Sequence, residues 1–172
     1  MSLRIFEPRY IRMVKEACAT AGGFGVCMLN SQRDKQDNQD MYPIGTYVKV
    51  VDFDILKDGF LGITVQGERC FRIIDMETEA DGLRLGRCEW LEVWKTEKEI
   101  TENINPIDER LREVFAKYPD ISTLYNEPKF NDPIWVIYRW LELIPVEAEL
   151  KQEFLQQKDC IKALTFLTQL VE

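Results

Sequence analysis

Three serines, five cysteines, 30 carboxylates and no histidine are the chemical resources of this 172-residue chain. Without an imidazole there is no Ser-His-Asp or Cys-His nucleophile system and no imidazole-ligated zinc or iron. The side chain most often used as a general base near neutral pH is also missing. Ser2, Ser31 and Ser122 lie in no G-x-S-x-G turn. A serine–lysine pair would have to hold its nucleophile on a loop or near a terminus, where it is poorly fixed. Cys18, Cys27, Cys70, Cys88 and Cys160 include no C-x-x-C pair. Flanked by apolar neighbours such as Val26, Met28 and Phe71, they read as buried free thiols, which suit a reducing compartment. No G-x-x-x-x-G-K-[ST] loop is present to cradle a phosphate. Gly22-Gly23-Phe24-Gly25 lies between a helix and a strand, the wrong context for a dinucleotide fingerprint.

The carboxylates give no stronger signal. Glu97, Glu99 and Glu102, and then Glu147, Glu149 and Glu153, read as solvated faces. Asp52 and Asp54 share one strand face and could approach a magnesium ion, but alternation with Val51, Phe53 and Ile55 is more simply the wet side of a half-buried strand. No residue is therefore expected to be catalytic, cofactor-binding or metal-ligating. Two aromatic sets remain as candidate partner contacts. Trp90 and Trp94 fall on the strand face opposite Leu91 and Val93. Tyr125 and Phe130 sit in a proline-bracketed loop over 119–133. Exposed aromatics in such places can anchor a peptide or partner; the plainer expectation is that the tryptophans pack beneath the C-terminal helices.

The elements that would position these residues divide into a strand-rich first part, 1–97, and a helix-rich last part, 98–172. Hydrophobic residues make up 45% and charged residues 30%, a globular composition, and the net charge is −8. That balance opposes binding to nucleic acid or to an anionic membrane surface. No apolar run approaches a membrane span, and no signal peptide is expected at the N-terminus. Pro8 starts an early helix over 7–20, with Tyr10, Met13, Val14, Ala17 and Cys18 inward. Gly23–Leu29 is a buried strand, and 30–42 is an exposed, mobile loop with almost nothing to bury. Thr46–Leu56 pairs through a Lys57-Asp58-Gly59 turn with Phe60–Gln66. Gly67 breaks that run, and Arg69–Met76 forms the next strand. Ala80-Asp81-Gly82 turns into a long strand, Leu83–Trp94. Gly62 and Gly86 mark bulges or barrel corners. After a polar linker at 95–105, Asn105 caps a helix whose first residue is Pro106, and Asp132 with Pro133 starts another over Ile134–Ile144. Pro145 begins the next, and Asp159 caps a final helix with Ile161, Leu164, Leu167 and Val171 inward. Strand hairpins followed by helices make the fold class α+β.

Leu3-Arg4-Ile5-Phe6-Glu7-Pro8-Arg9-Tyr10 resembles the motif at the start of the Lon protease N-terminal domain. Gly23-Phe24-Gly25-Val26 and Ile44-Gly45-Thr46 are similar to its following strands. Asp58-Gly59 is similar to its hairpin turn, and Gly67-Glu68-Arg69-Cys70-Phe71-Arg72-Ile73 to its glycine–arginine–phenylalanine strand. Leu143-Ile144-Pro145, Lys151-Gln152 and the last helix resemble its helical half, so the likeness covers nearly the whole chain. It implies a PUA-like β pseudo-barrel followed by a helical bundle. It also implies recognition of proteins or peptides, expected to be non-enzymatic and without a cofactor since the chain carries neither the ATPase nor the protease module of a full Lon. The free thiols and the lack of a signal peptide set the expected location as the cytoplasm. The motif residues Phe6, Glu7, Arg9, Tyr10, Gly45, Gly67, Arg69 and Phe71 are read as structural: Glu7 and Arg9 fix the start of the first helix, Phe6 and Tyr10 pack beneath it, and the glycines serve backbone geometry. Two departures stand out. Family members carry an apolar L-P-L-F-P-L-type strand ahead of the first motif, where this chain begins, and Cys70 replaces a more polar or aromatic residue. An absent strand would leave a sheet edge open, a route to homo-oligomers. The alternatives are an RNA-binding PUA-like domain, if Arg69, Arg72, Arg84 and Arg87 form a basic patch, and a small carboxylate-dependent hydrolase, if two acids converge in a deep pocket.

Overall fold

The computed structural model describes residues 1–30, 40–95, 100 and 104–171. The chain divides into two compact units, Met1–Glu92 and Val93–Glu172. The first holds an antiparallel sheet and one helix; the second is helical. This is the α+β class that the hairpins and the later helices imply.

In the first unit β1 (Ser2–Ile5) leads into α1 (Pro8–Ala19), followed by β2 (Phe24–Leu29), β3 (Met41–Ile55), β4 (Leu61–Thr78) and β5 (Arg84–Trp90). The strand order is β1-β4-β3-β2, with β5 also paired to β4. Thus β4 carries β3 along one side, with β1 and β5 at successive stretches of the other: Ile5 stands opposite Leu61, and Trp90 opposite Phe71. The two turns obey local chemistry. Gly59 and Gly82 adopt φ of 82° and 84°, a region side chains disfavour. The Asp58 and Asp81 carboxylates accept hydrogen bonds from the N–H groups of Phe60 and Leu83 at 3.2 and 3.0 Å.

Gly67 does not end a strand. β4 runs through it because β3 residues Tyr47 and Val48 pair with Arg69 and Gly67, leaving Glu68 as a bulge residue. Gly62 and Gly86 are not bulge residues either: the register shifts instead leave out Val51 of β3 and Ile74 of β4. A Cβ at Gly62 would meet the end of the Leu56 side chain at 2.9 Å, so that side chain would have to shift. β5 stops at Trp90, four residues short of the strand expected from alternation.

Helix α1 buries Val14 and Ala17 against Ile5, Phe24, Val48, Ile63 and Val65. Tyr10 and Cys18, expected on that inner face, are exposed. The supposed loop over 30–42 is not bare of buried groups: Asn30, Asp40 and Tyr42 are buried, and β3 begins at Met41. Its central residues, 31–39, lie outside the described residues.

The second unit contains α2 (Ile107–Lys117), the short α3 (Pro119–Ser122), α4 (Pro133–Leu143), α5 (Ala148–Leu155) and α6 (Ile161–Val171). Ile107, Leu111, Val136, Ile137, Phe154 and Leu167 form a closely packed apolar core. Asp132 caps α4, its carboxylate accepting from the N–H groups of Ile134 and Trp135 at 3.0 and 3.3 Å. Asp132→Ala is expected to lower stability by about 1 kcal/mol, measured by urea denaturation; an unchanged midpoint would contradict this capping role. Asp159 lies one residue before the cap position of α6, which falls on Cys160, and accepts from Ile161 N at 3.0 Å. Asn105 does not cap α2; its side-chain amide donates to Glu109 Oε1 at 3.0 Å, and the cap position falls on Pro106. Ile161, expected inward, is 52% exposed, and Cys160 takes the buried place. α5 starts at Ala148, three residues beyond Pro145. Most of the polar linker expected over 95–105 lies outside the described residues, but Ile100 is buried. No helix among the described residues is long and apolar enough to cross a membrane.

Candidate functional site

The opening motif sits where α1 meets the β4–β5 turn. Glu7 and Arg9 pair with each other at 2.6 Å, and Arg9 Nη1 also donates to Gly82 O at 3.1 Å. One turn along, Arg12 binds Glu79 and, at 2.9 Å, Asp81, while also reaching Glu16 at 3.2 Å. These bonds draw the helix onto the turn. Phe6 and Tyr10 do not pack beneath it: Phe6 is 57% exposed and meets Phe60 edge-on at 6.1 Å, while the Arg9 guanidinium lies 4.9 Å from the Tyr10 ring centre. Glu7, Arg9, Arg12 and Asp81 line an open depression of about 420 Å³. Its two acids are both engaged by arginine. Asp81 is held below the usual carboxylate range, first by the Leu83 N–H and then by Arg12. A general acid needs the opposite shift.

The sheet brings Tyr47, Arg69, Phe71 and Trp90 together. Tyr47 pairs with Arg69 across β3–β4, and Phe71 with Trp90 across β4–β5. Side chains directly opposite share a face. Phe71 is buried because it lies over glycines on two strands: a Cβ on Gly25 would come within 2.7 Å of its ring, and one on Gly45 within 2.6 Å. Gly45 thus serves close packing. Trp90 stays 51% exposed, flanked by Tyr47 at 5.5 Å and by the Arg69 guanidinium at 4.9 Å. Trp94 goes elsewhere: it is buried in the helical unit, stacked on Tyr138 at 4.9 Å, with its indole N–H donating to Gln157 O at 3.0 Å.

Tyr125 and Phe130 are partly buried rather than free anchors. Both pack on Phe115, at 5.6 and 5.2 Å, and on Trp135. Tyr125 Oη donates to Glu142 at 2.8 Å; burial, then Glu142, pushes its pKa up to about 12. Phe130 and Arg112 also line an open depression of about 400 Å³ with Lys129 and Asp132.

The proposed arginine patch is largely neutralised. Arg84 makes two bonds to buried Asp40, at 2.6 and 3.1 Å, Arg87 pairs with Asp75, and Arg72 faces Glu89 at 3.9 Å. No group of three Cys, Asp or Glu residues among those described could hold a metal ion. All five cysteines are free, but only Cys160 is buried; Cys18 and Cys88 are exposed. The distinction follows the fold, because Cys18 lies on the outer side of α1.

Burial, with a smaller contribution from Cys88, pushes the Cys27 thiol from 9.0 up to about 11. The unfolded chain releases that proton at lower pH than the folded one. Stability from Cys27 is therefore complete below pH 9 and lost as pH rises towards about 11. Cys27→Ala should flatten the alkaline slope of urea-unfolding stability; an unaltered slope would contradict this. Iodoacetamide should modify Cys18 before Cys27.

With this geometry in place, the relatives are informative. Residues 1–172 match the family described as the ATP-dependent protease La (LON) substrate-binding domain. A Lon N-terminal domain protein from Xanthomonas campestris superposes with a TM-score of 0.72 at 26% identity, covering 98% of this chain and 88% of that one. The N-terminal domain of Mycobacterium avium complex Lon protease shares the fold, with a TM-score of 0.69 at 15% identity and the same coverages. A Lon protease of Cytophaga hutchinsonii is 21% identical over 180 residues, which take in all of this chain and 22% of that protein. The chain therefore spans about a fifth of the length of that curated relative. The motifs, the sheet-then-helices order and the full-length match agree: this chain belongs to the Lon substrate-binding domain family.

Proposed function

We propose that this chain is a non-catalytic module that binds exposed segments of other proteins and needs no ATP to do so. The observation that carries the reading is the match to a substrate-binding family over residues 1–172. The surface supports it. Phe6, Phe53, Ile55, Phe60 and Trp90 remain well exposed on the first unit and offer apolar area that an unfolded segment can cover. The arginine-paired acids of the depression beside α1 favour binding over hydrolysis. The free thiols accord with a reducing, cytoplasmic setting.

Fluorescently labelled, reduced casein tests this directly. The expected result is a saturable rise in anisotropy with the casein still intact after prolonged incubation. Absence of saturable binding at high protein concentration would remove the reading, and cleavage would replace it with a hydrolase.

A further inference from the structure

β2 accompanies β3 only as far as Val48, whereas β3 continues to Ile55. From Lys49 to Ile55, β3 is bonded to β4 on one side and to no described strand on the other. An open edge of this kind presents backbone donors and acceptors ready to pair with another strand. The side chains along it are sorted by face. Phe53 and Ile55, 55% and 78% exposed, share the face of their β4 partners Ile63 and Leu61. Asp52 and Asp54 project from the other face. Neither aspartate forms an ion pair among the described residues; the Asp52 carboxylate instead accepts from the Phe53 N–H at 2.9 Å, a local bond that an added strand would replace at that edge donor.

We propose that this edge takes an extended segment of an unfolded protein as an added β-strand, with basic residues against Asp52 and Asp54 and apolar residues between them against Phe53 and Ile55. Strand addition draws affinity from the main chain and specificity from alternate side chains. Charge selects the occupant. A second copy pairing about a two-fold axis at Phe53 would set Asp52 of one copy against Asp54 of the other, and like charges directly opposite destabilise a strand pair. A segment with Lys or Arg at alternate positions makes the favourable pairing at both. The inference rests on the protein-binding reading above and names the kind of segment bound.

The probe is a short fluorescein-labelled peptide alternating Val and Lys, titrated into the intact chain. Matched peptides carry Glu for Lys, or N-methyl groups on one or the other alternate set of backbone nitrogens. The Val/Lys peptide should bind about tenfold more tightly than the Val/Glu peptide. One N-methyl set should abolish binding while the other is tolerated, because only one edge of an added strand meets β3. The Asp52→Lys/Asp54→Lys double variant should reverse the preference and gain affinity for Val/Glu; a gain of this kind cannot come from misfolding. Since a chain of net charge −8 attracts any basic peptide, the N-methyl pattern and the reversal are decisive. Equal loss with both N-methyl sets, indifference to both, or an unaltered charge preference in the double variant would overturn the proposal. Reduced casein titrated in parallel separates the two readings. Casein binding without these peptide effects sinks the edge alone, and absence of casein and peptide binding sinks both.

Discussion

Replacing Phe71 with Ala is expected to destabilise the chain by about 3–5 kcal/mol. Phe71 is 5% exposed at the middle of β4, and its ring fills the space above Gly25 of β2 and Gly45 of β3. Two neighbouring positions without side chains cannot collapse inward to close the void, which is the condition under which a cavity costs most. The converse test is sharper. The three atoms nearest a Cβ at Gly25 would all belong to the Phe71 ring, its tip at 2.7 Å. Gly25→Ala should therefore cost about 1–3 kcal/mol in the native background, and most of that cost should vanish beside Phe71→Leu. Gly45→Ala should be rescued far less, because its Cβ would also meet the Val26 carbonyl at 2.8 Å and Cys27 Sγ at 2.6 Å. Urea denaturation of the singles and doubles provides the cycle. Additive Gly25 and Phe71 effects would show that the ring does not fill the glycine gap.

Asp40→Ala should cost about 3 kcal/mol. The Asp40 side chain is 7% exposed, and both of its oxygens accept from Arg84 on β5. Removing the carboxylate strands a guanidinium that is itself only 24% exposed, and an unpaired charge held away from water is expensive. Arg84→Ala in addition should recover part of the loss, because the stranded charge disappears. A double variant no more stable than Asp40→Ala would indicate that the pair's geometry, rather than its charge, is what matters.

The elements with local causes were legible in the sequence. Gly59 and Gly82 mark turns because only glycine adopts their φ cheaply, and Asp132 and Asp159 mark helix starts because their carboxylates bond N–H groups two residues on. What failed to show depends on partners distant in the chain. Gly67 looks like a break locally, but the register against Tyr47 and Val48 absorbs it as a bulge at Glu68. Asp40 looks like part of a polar loop until Arg84, 44 residues later, arrives beside it. Alternation cannot say where a strand ends when its last residues are apolar, so Trp94 seemed to belong to β5 although it is buried among helices.

Candidate contacts follow the same division. Trp90, Tyr125 and Phe130 were visible as aromatics, but their exposure was not, because Tyr125 and Phe130 are covered by Phe115 and Trp135 and Trp90 is not covered. The open edge at Phe53 and Ile55 reads in sequence as an ordinary half-buried strand. Only the early end of its pairing with β2 exposes it.

The central claim is that the chain captures exposed protein segments and leaves them intact. Titrating it with one substrate protein in two states, folded and reduced with its thiols blocked, tests this most directly. Saturable heat or anisotropy change with the unfolded state alone, and no cleavage products, is the predicted result. Equal binding of both states, or binding of neither, would contradict the account.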